Sequence, residues 1–285
     1  MGQTIGLALI ALLCFGINDF LFKRATQQGA SAHNIVMTLS LTMFPLLLLY
    51  GLVTGDLAAN PAALWGTVGA GFSYIGGYSF AKALKSGAVS IAAPVFRLSF
   101  IVTAVLAITF LAEKLTILKL GGFAIAVVAV WLLLGGASNS KTEIPRDALT
   151  RVVVATVCVG VAFFCFKLGI HQGATPASVL LAQTIGLSSV ATVASILIDK
   201  RFTPSSTSVR YGVVIGIIQS IGLGSLLEGL VKGEVSILFP IAQLSFLVTA
   251  IMGVLFLKEQ VTARKNAGLA AAVGAVAMLG LAVQQ

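Results

Sequence analysis

The sequence predicts an all-α membrane protein, with ten transmembrane helices arranged as two inverted five-helix repeats around a central cavity. Two observations lead to this fold class. The first is composition: charged residues make up 9% of the 285 residues and hydrophobic residues 58%, whereas an ordinary soluble domain has about 25% charged residues. The second is an internal duplication that extends through most of the chain.

The duplication is visible in two pairs of segments. Residues 87–133 recur as residues 233–279, and 23 of the 47 positions are identical without a gap. Residues 11–32 recur as residues 155–176, with 9 of 22 positions identical. Two apolar halves built alike indicate a duplicated membrane carrier. The alternative is a duplication that only makes a larger helix bundle.

Ten segments have the length and composition of membrane-spanning helices, which need about 20 largely apolar residues. In chain order they are residues 5–22, 34–54, 63–81, 88–111, 116–134, 150–168, 177–198, 209–227, 235–257 and 262–281. The spans divide the chain into a first repeat of residues 1–135 and a second repeat of residues 149–285. A connection of residues 136–148 joins the two repeats, which together form one membrane domain.

An odd number of spans in each repeat means that the second repeat enters the bilayer from the opposite face. Two such halves can exchange conformations, which is the physical basis of alternating access. The connections after odd-numbered spans contain 13 Lys and Arg residues, and those on the other side contain 4. The positive-inside rule therefore predicts a multi-pass protein of the cell (inner) membrane whose termini are extracytoplasmic.

Several function classes are disfavoured by what the sequence contains. Cys14, Cys158 and Cys165 lie inside apolar segments without CxxC spacing, which is typical of inert buried thiols. The sequence has no HExxH motif and no paired intramembrane aspartates, so we expect neither an enzyme nor a metal or cofactor site. The net charge of +9 comes from lysines and arginines between the apolar segments, which the cytoplasmic leaflet attracts. It is therefore not interpreted as a nucleic-acid binding surface. The expected partners are a small-molecule substrate and the lipid bilayer, with protons as a candidate coupling ion.

One motif is shared by the two repeats. Pro94 and Pro240 lie in the fourth span of each repeat, and an apolar run then leads to Phe-Leu-x-Glu-x-x-Thr at residues 110–116 and 256–262. In this motif, and in helix count over essentially the whole chain, the sequence resembles ten-helix EamA-type carriers of the drug/metabolite transporter superfamily. The resemblance implies a basket of ten helices and transport of small polar metabolites, such as amino acids, nucleotide-linked sugars, sugar phosphates or choline. Many relatives are thought to keep their termini in the cytoplasm, and the charge count departs from that pattern.

Arg97 is the most costly residue of the sequence. It lies near the middle of the fourth span, where insertion of a charge costs at least ~2.5 kcal/mol. A guanidinium group suits a carboxylate or phosphate, and Asp19 in the first span is the natural counter-charge. The two together suit a zwitterion, which favours amino-acid-like substrates, and the predicted function is a secondary active transporter that exports them. The alternatives are a structural salt bridge or capping contact for Arg97, and a local pair between Asp19 and Lys23, four residues apart.

Other polar residues of the spans are candidates to line the cavity. Gln243 is the repeat partner of Arg97, and Pro94 and Pro240 are predicted hinges because each removes a backbone hydrogen bond. The remaining candidate substrate-binding residues are Asn18, Ser73, Tyr74, Tyr78, Ser99, Gln219 and Ser245. Small residues at every fourth position from 212 to 224 instead indicate helix packing.

Four further ionisable residues are given other roles. His33 and His171 are predicted to be surface residues in loops, and Glu113 and Glu259 to be structural acids near helix N-termini. The alternative functions are a carrier for another metabolite class (sugar phosphate, nucleoside or quaternary amine) and a lipid-handling membrane protein. The sequence contains no ATP-binding motif, so uphill transport would draw on an ion gradient.

Overall fold

The computed structural model describes residues 2–85, 95–134, 146–198, 204–257 and 263–282, and every regular element in these residues is a helix. The first repeat contains α1 (Gly2–Gln27), α2 (Ala32–Thr54), α3 (Leu64–Lys85), α4 (Ser99–Phe110) and α5 (Ile117–Leu134). The second contains α6 (Arg146–His171), α7 (Pro176–Ile198), α8 (Ser206–Lys232), α9 (Val235–Gln243), α10 (Phe246–Leu257) and α11 (Ala263–Ala282). The predicted all-α class is confirmed. Most of the predicted connection, residues 136–145, lies outside the described residues.

The surface of the bundle is apolar. The helices α1, α2, α6, α7 and α8 are long and apolar enough to cross a membrane, and shorter apolar helices cover residues 95–110, 117–132, 235–249 and 266–282. Leu197, Val53 and Ile117 expose 71%, 77% and 85% of their surfaces. Large exposed aliphatic side chains around a helical bundle are expected where the surface faces lipid tails.

The two repeats pack mainly against each other rather than within themselves. Among the described residues α1 packs on α8, and the equivalent helices α3 and α6 form the reciprocal pair. Helix α2 packs on its own counterpart α7, and α5 packs on its counterpart α11. Reciprocal and self-paired contacts of this kind are the signature of a two-fold axis. The two repeats are therefore related by a pseudo-two-fold axis.

Two glycines show how closely this symmetry is followed. A Cβ on Gly16 of α1 would lie 2.5 Å from the carbonyl oxygen of Ser245. A Cβ on Gly160, the equivalent residue of α6, would lie 2.7 Å from the carbonyl oxygen of Ser99, the equivalent of Ser245. Only glycine permits such close approach of a helix to another backbone. The same contact is thus made twice by equivalent residues.

The direction of the helices confirms that the repeats are inverted. Lys167, near the end of α6, donates a hydrogen bond to the carbonyl of Leu230, near the end of α8. In the same turn of α8, Gly229 approaches Thr4 at the start of α1. The beginning of α1 and the end of its counterpart α6 therefore lie together. We call this end of the bundle the terminal end, and the end with the α1–α2 turn the opposite end.

The fourth span of each repeat, which the sequence predicts as one continuous segment, is interrupted in the structure. In the second repeat α9 ends at Gln243 and α10 begins at Phe246, with Leu244 at φ −71°, ψ 10°. In the first repeat the equivalent Leu98 precedes α4 at φ −72°, ψ 3°. At both positions the backbone tightens to i→i+3 hydrogen bonds, such as Leu98 N–H to Val95 C=O at 3.0 Å.

The breaks lie four residues beyond the predicted hinge prolines. Pro240 is buried inside α9, which continues past it to Gln243; Pro94 lies outside the described residues. Neither break contains a glycine or proline, so no local residue type explains it. Irregular backbone at this depth is tolerated where it is buried in protein or lines a polar cavity. Arg97 and Gln243, the residues directly before the two breaks, bind each other and provide such a polar environment.

Candidate functional site

The two breaks meet at the pseudo-two-fold axis. Arg97 Nη1 donates hydrogen bonds to Gln243 Oε1 and to Ser245 Oγ, both at 3.2 Å. Gln243 Nε2 donates in turn to Ser99 Oγ at 2.8 Å. Arg97 and Gln243 are equivalent residues of the two repeats, and so are Ser99 and Ser245. The contact of a residue with its own counterpart places the axis between Arg97 and Gln243.

Asp19 of α1 completes this site. Arg97 Nη2 donates to Asp19 Oδ2 in an ion pair. The Arg97 side chain is 17% exposed and that of Asp19 is 36% exposed. The structure therefore brings together the two charges that the sequence analysis paired, and the carboxylate remains accessible although it lies in the middle of the bundle.

Asn18 extends the site toward α8. Its Nδ2 donates to Gln219 Oε1 at 2.7 Å, so two further predicted residues are in contact. The Oδ1 atom of Asn18 is buried and has no hydrogen-bond partner among the described residues. Buried polar atoms are usually satisfied. A free acceptor beside Asp19 is therefore a candidate contact for a ligand that carries hydrogen-bond donors.

The predicted tyrosines form a separate group on α3. Tyr74 Oη and His33 Nδ1 are hydrogen-bonded at 2.7 Å, and the ring of Tyr78 lies 5.6 Å from the ring of His33. Lys82 Nζ lies 5.4 Å from the centre of the Tyr78 ring. The predicted location of His33 in a loop is wrong, because it lies in the first turn of α2 and binds Tyr74. The pair of tyrosines one helical turn apart was the available sequence signal for this group.

Two contacts define the immediate surroundings of the site. Phe80 of α3 stacks on Phe96, the neighbour of Arg97, with ring centroids 4.1 Å apart. The predicted residue Ser73 lies on the same helix and is half-buried. Phe163, the repeat counterpart of Asp19, stacks on Phe239 at 3.9 Å. The site is thus polar on the side of α1 and aromatic on the side of α6, despite the symmetric backbone.

The fold and the site define a class of protein. Two inverted repeats of apolar helices, packed about an axis beside which an accessible ion pair lies, are the architecture of a multi-pass membrane transporter. The family model described as "EamA-like transporter family" matches residues 3–135 and 148–281. The chain therefore belongs to the EamA-like transporter family, and it is a membrane transporter of the drug/metabolite transporter type.

The comparisons with individual proteins show the fold. No curated protein matches the chain, whereas 29 chains of solved structures do. One of them, described only as "Crystal structure of protein", has a TM-score of 0.82 and is 17% identical, covering 100% of this chain and 98% of the other. At this identity the likeness is one of fold.

Proposed function

We propose that the protein is a secondary active transporter that exports small polar metabolites by alternating access, with amino-acid-like zwitterions as the favoured substrates. The single observation that supports this most is the ion pair between Asp19 and Arg97 at the pseudo-two-fold axis. The polar residues converge on the centre of the bundle, which favours a carrier over a protein that handles lipids at its outer surface.

The ion pair suits a zwitterion because the substrate can exchange partners with it. A planar guanidinium binds a carboxylate through two parallel hydrogen bonds, so Arg97 is assigned to the substrate carboxylate. The substrate ammonium then replaces Arg97 as the partner of Asp19, and the free Oδ1 of Asn18 is a second acceptor for it. Both charges are compensated in the empty and the loaded states, so neither state contains an unpaired charge at low dielectric.

The position of the site at the axis supports alternating access. When two inverted repeats exchange conformations, residues at the axis stay in place while the exposed end of the bundle changes. The breaks at Leu98 and Leu244, with the neighbouring Pro94 and Pro240 as hinges, are where we expect each fourth span to bend. The contact between Arg97 and Gln243 is expected to persist in both states.

The orientation is also part of the proposal. Of the lysine and arginine residues that the structure describes, most lie at the opposite end of the bundle, and we assign this end to the cytoplasm of a cell with an inner membrane. Both termini are then extracytoplasmic. Proton coupling through Asp19 is a testable extension: transport should depend on a pH gradient, and a dependence that survives in Asp19→Asn would exclude this residue as the proton carrier.

The experiment uses the purified protein in detergent and then in proteoliposomes. A thermal-shift screen compares leucine with its decarboxylated amine and its deaminated acid, alongside sugar phosphates, nucleosides and choline. We expect stabilisation by the zwitterion, and little by the compounds that lack one of its charges. In proteoliposomes Arg97→Gln should abolish uptake of the stabilising compound while the protein stays folded.

The chain offers a matched control. Arg151 and Asp147 form an exposed pair on α6, with side chains 41% and 73% exposed. Arg151→Gln makes the same chemical change at the surface and should leave uptake unchanged. Uptake that persists in Arg97→Gln would remove Arg97 from the site. Stabilisation by sugar phosphates, nucleosides or choline, but not by amino acids, would replace the proposed substrate class.

A further inference from the structure

The turn between α8 and α9, at the terminal end of the bundle, is held by Lys167 of α6, which binds the end of α8. Lys167 Nζ donates to the carbonyls of Leu230 at 2.6 Å and Gly233 at 2.8 Å. The last carbonyls of a helix lack intrahelical partners and carry partial negative charge, so a cation is stabilising there. Lys167 belongs to α6, so this contact ties α8 to another helix of its own repeat.

The other side of the same turn is held by a carboxylate. Glu113 accepts the N–H of Val235 at 2.9 Å and the N–H of Ser236 at 3.0 Å through its two oxygens. These are the first free donors of α9, where an anion is favoured. In sequence Glu113 precedes the next helix of its own repeat, so its expected place is near the N-terminus of that helix. It instead caps a helix of the other repeat, and its side chain is buried.

A buried lysine completes the arrangement. Lys119 is 1% exposed, and its Nζ donates to Ser236 Oγ at 2.9 Å and forms an ion pair with Glu234. Lys119 also donates to the carbonyl of Lys114. We call Glu113, Lys119, Lys167 and Glu234 the clamp. It contains two acids and two bases, so its charges balance.

The clamp coincides with a difference in burial between the repeats. All nine residues of α9 are buried, including residues 241–243 next to the site. The equivalent residues 95–97 of the first repeat are only half-buried. The helix that the clamp holds is therefore packed against the bundle on its whole length, whereas the described part of its counterpart is more open.

We propose that the clamp is the gate that closes the terminal end of the transporter, an inference that rests on the proposed alternating access. Release of Glu113 and Lys167 frees the α8–α9 turn, and the start of α9 then moves away from the axis while Gln243 at its end stays in contact with Arg97. In sequence Glu113, Lys119 and Lys167 recur as Glu259, Lys265 and Lys23, but the counterpart of Glu234 is Ala88. By sequence the clamp has one acid more than the equivalent set of residues, and we therefore expect closure at the terminal end to be the preferred resting state.

The test is a distance measurement that needs no substrate. Spin labels are attached at Ile117→Cys and Lys232→Cys, two exposed positions of the terminal end, in a chain whose native cysteines are replaced by alanine. The distance between the labels is measured by double electron–electron resonance in nanodiscs. The labelled protein without a substitution in the clamp should give one short distance between the two labels.

The gate variants are Glu113→Gln and Lys167→Met, which keep the size of the side chain and remove its charge. Each should add a longer distance, with about a tenfold rise in the open-to-closed ratio, the effect of losing one charge-assisted hydrogen bond. The matched control is Lys23→Met, the same change at the equivalent position of the first repeat. It should leave the distance at the terminal end short.

The outcomes separate the gate from the proposed substrate. Unchanged distances in both gate variants would overturn the proposal, and so would equal opening in Lys23→Met. Failure of both gate variants to fold, judged by size-exclusion chromatography, would assign the clamp to the structure of the bundle and reject it as a gate. Because no ligand is present, opening of the gate can be observed even if the transported compound is not a zwitterion.

Discussion

The two fourth spans have the same backbone and different side chains at the axis. Leu98 and Leu244 have nearly the same dihedral angles, and the preceding residue is Arg97 in one repeat and Gln243 in the other. The break therefore belongs to the shared fold, whereas the charge belongs to one repeat only.

The helices that pack against the two breaks show the same division. Thr103 donates to the carbonyl of Gly160 at 2.8 Å, and its counterpart Thr249 donates to the carbonyl of Gly16 at 3.0 Å. These contacts are repeated because both breaks need support from a neighbouring helix. Asp19, in contrast, has no acidic counterpart, so the ion pair exists on one side of the axis only. Contacts that occur in both repeats stabilise the breaks, whereas residues that occur in one repeat only determine which ligand the site can bind.

The largest effect is expected from moving the charge across the axis. Arg97→Gln should lower uptake by about 100-fold or more, since it removes a charge-assisted bidentate contact. Adding Gln243→Arg in the same chain returns a guanidinium to the axis, because the two positions are in contact. Uptake in proteoliposomes should recover by about tenfold, less than fully because Phe163 replaces Asp19 as the neighbour on that side.

Gln243→Arg alone is the control for this exchange. It places two guanidinium groups side by side with one carboxylate, so folded yield should fall below that of the double variant. If the double variant showed no recovery over Arg97→Gln, the axis would not be what positions the cation. The symmetry of the backbone would then be irrelevant to binding.

A smaller effect on stability is expected at the two glycines, where the repeats should respond alike. Gly16→Ala and Gly160→Ala each place a methyl group within 2.7 Å of a backbone carbonyl, and overpacking of this kind costs about 1–3 kcal/mol. Each variant should therefore lower the thermal midpoint of the protein in detergent. Gly224→Ala is the control, since a Cβ there meets nothing within 4 Å. A clear loss at one glycine only would show that the two breaks are not equally supported.

How much of the fold and of the site could be predicted from sequence depends on whether each feature is determined by local residues or by contacts between distant segments. The spans and the inverted repeats can be predicted because the length of the apolar segments and the identity between the two halves are properties of the sequence alone. The pairing of Arg97 with Asp19 is predictable for a related reason: an isolated charge at this depth is costly, and few partners are available. The contacts of Gln243, Ser99 and Ser245 follow once the axis is known.

The breaks and the clamp are not predictable in the same way. Pro94 and Pro240 are visible signals, but the helix is interrupted at Leu98 and Leu244, where contacts with other helices decide the geometry. Glu113 was assigned to its neighbour in the chain, because sequence reasoning sees only local helix termini. The recurrence of Gly16 at Gly160 is a signal for close approach at the breaks, but it does not identify which segment approaches.

The smallest predicted effect distinguishes the two serines at the axis. Ser245 accepts from the Arg97 guanidinium, whereas its counterpart Ser99 accepts from the neutral amide of Gln243. A hydrogen bond to a charged group contributes about 1.5–3 kcal/mol and a neutral one about 0.5–1.5 kcal/mol. Ser245→Ala should therefore weaken substrate affinity, measured by titration calorimetry, more than Ser99→Ala, by a ratio of about threefold to tenfold. Equal effects would mean that Asp19 alone positions the Arg97 guanidinium. Ser99 and Ser245 would then only stabilise the backbone break that both repeats share.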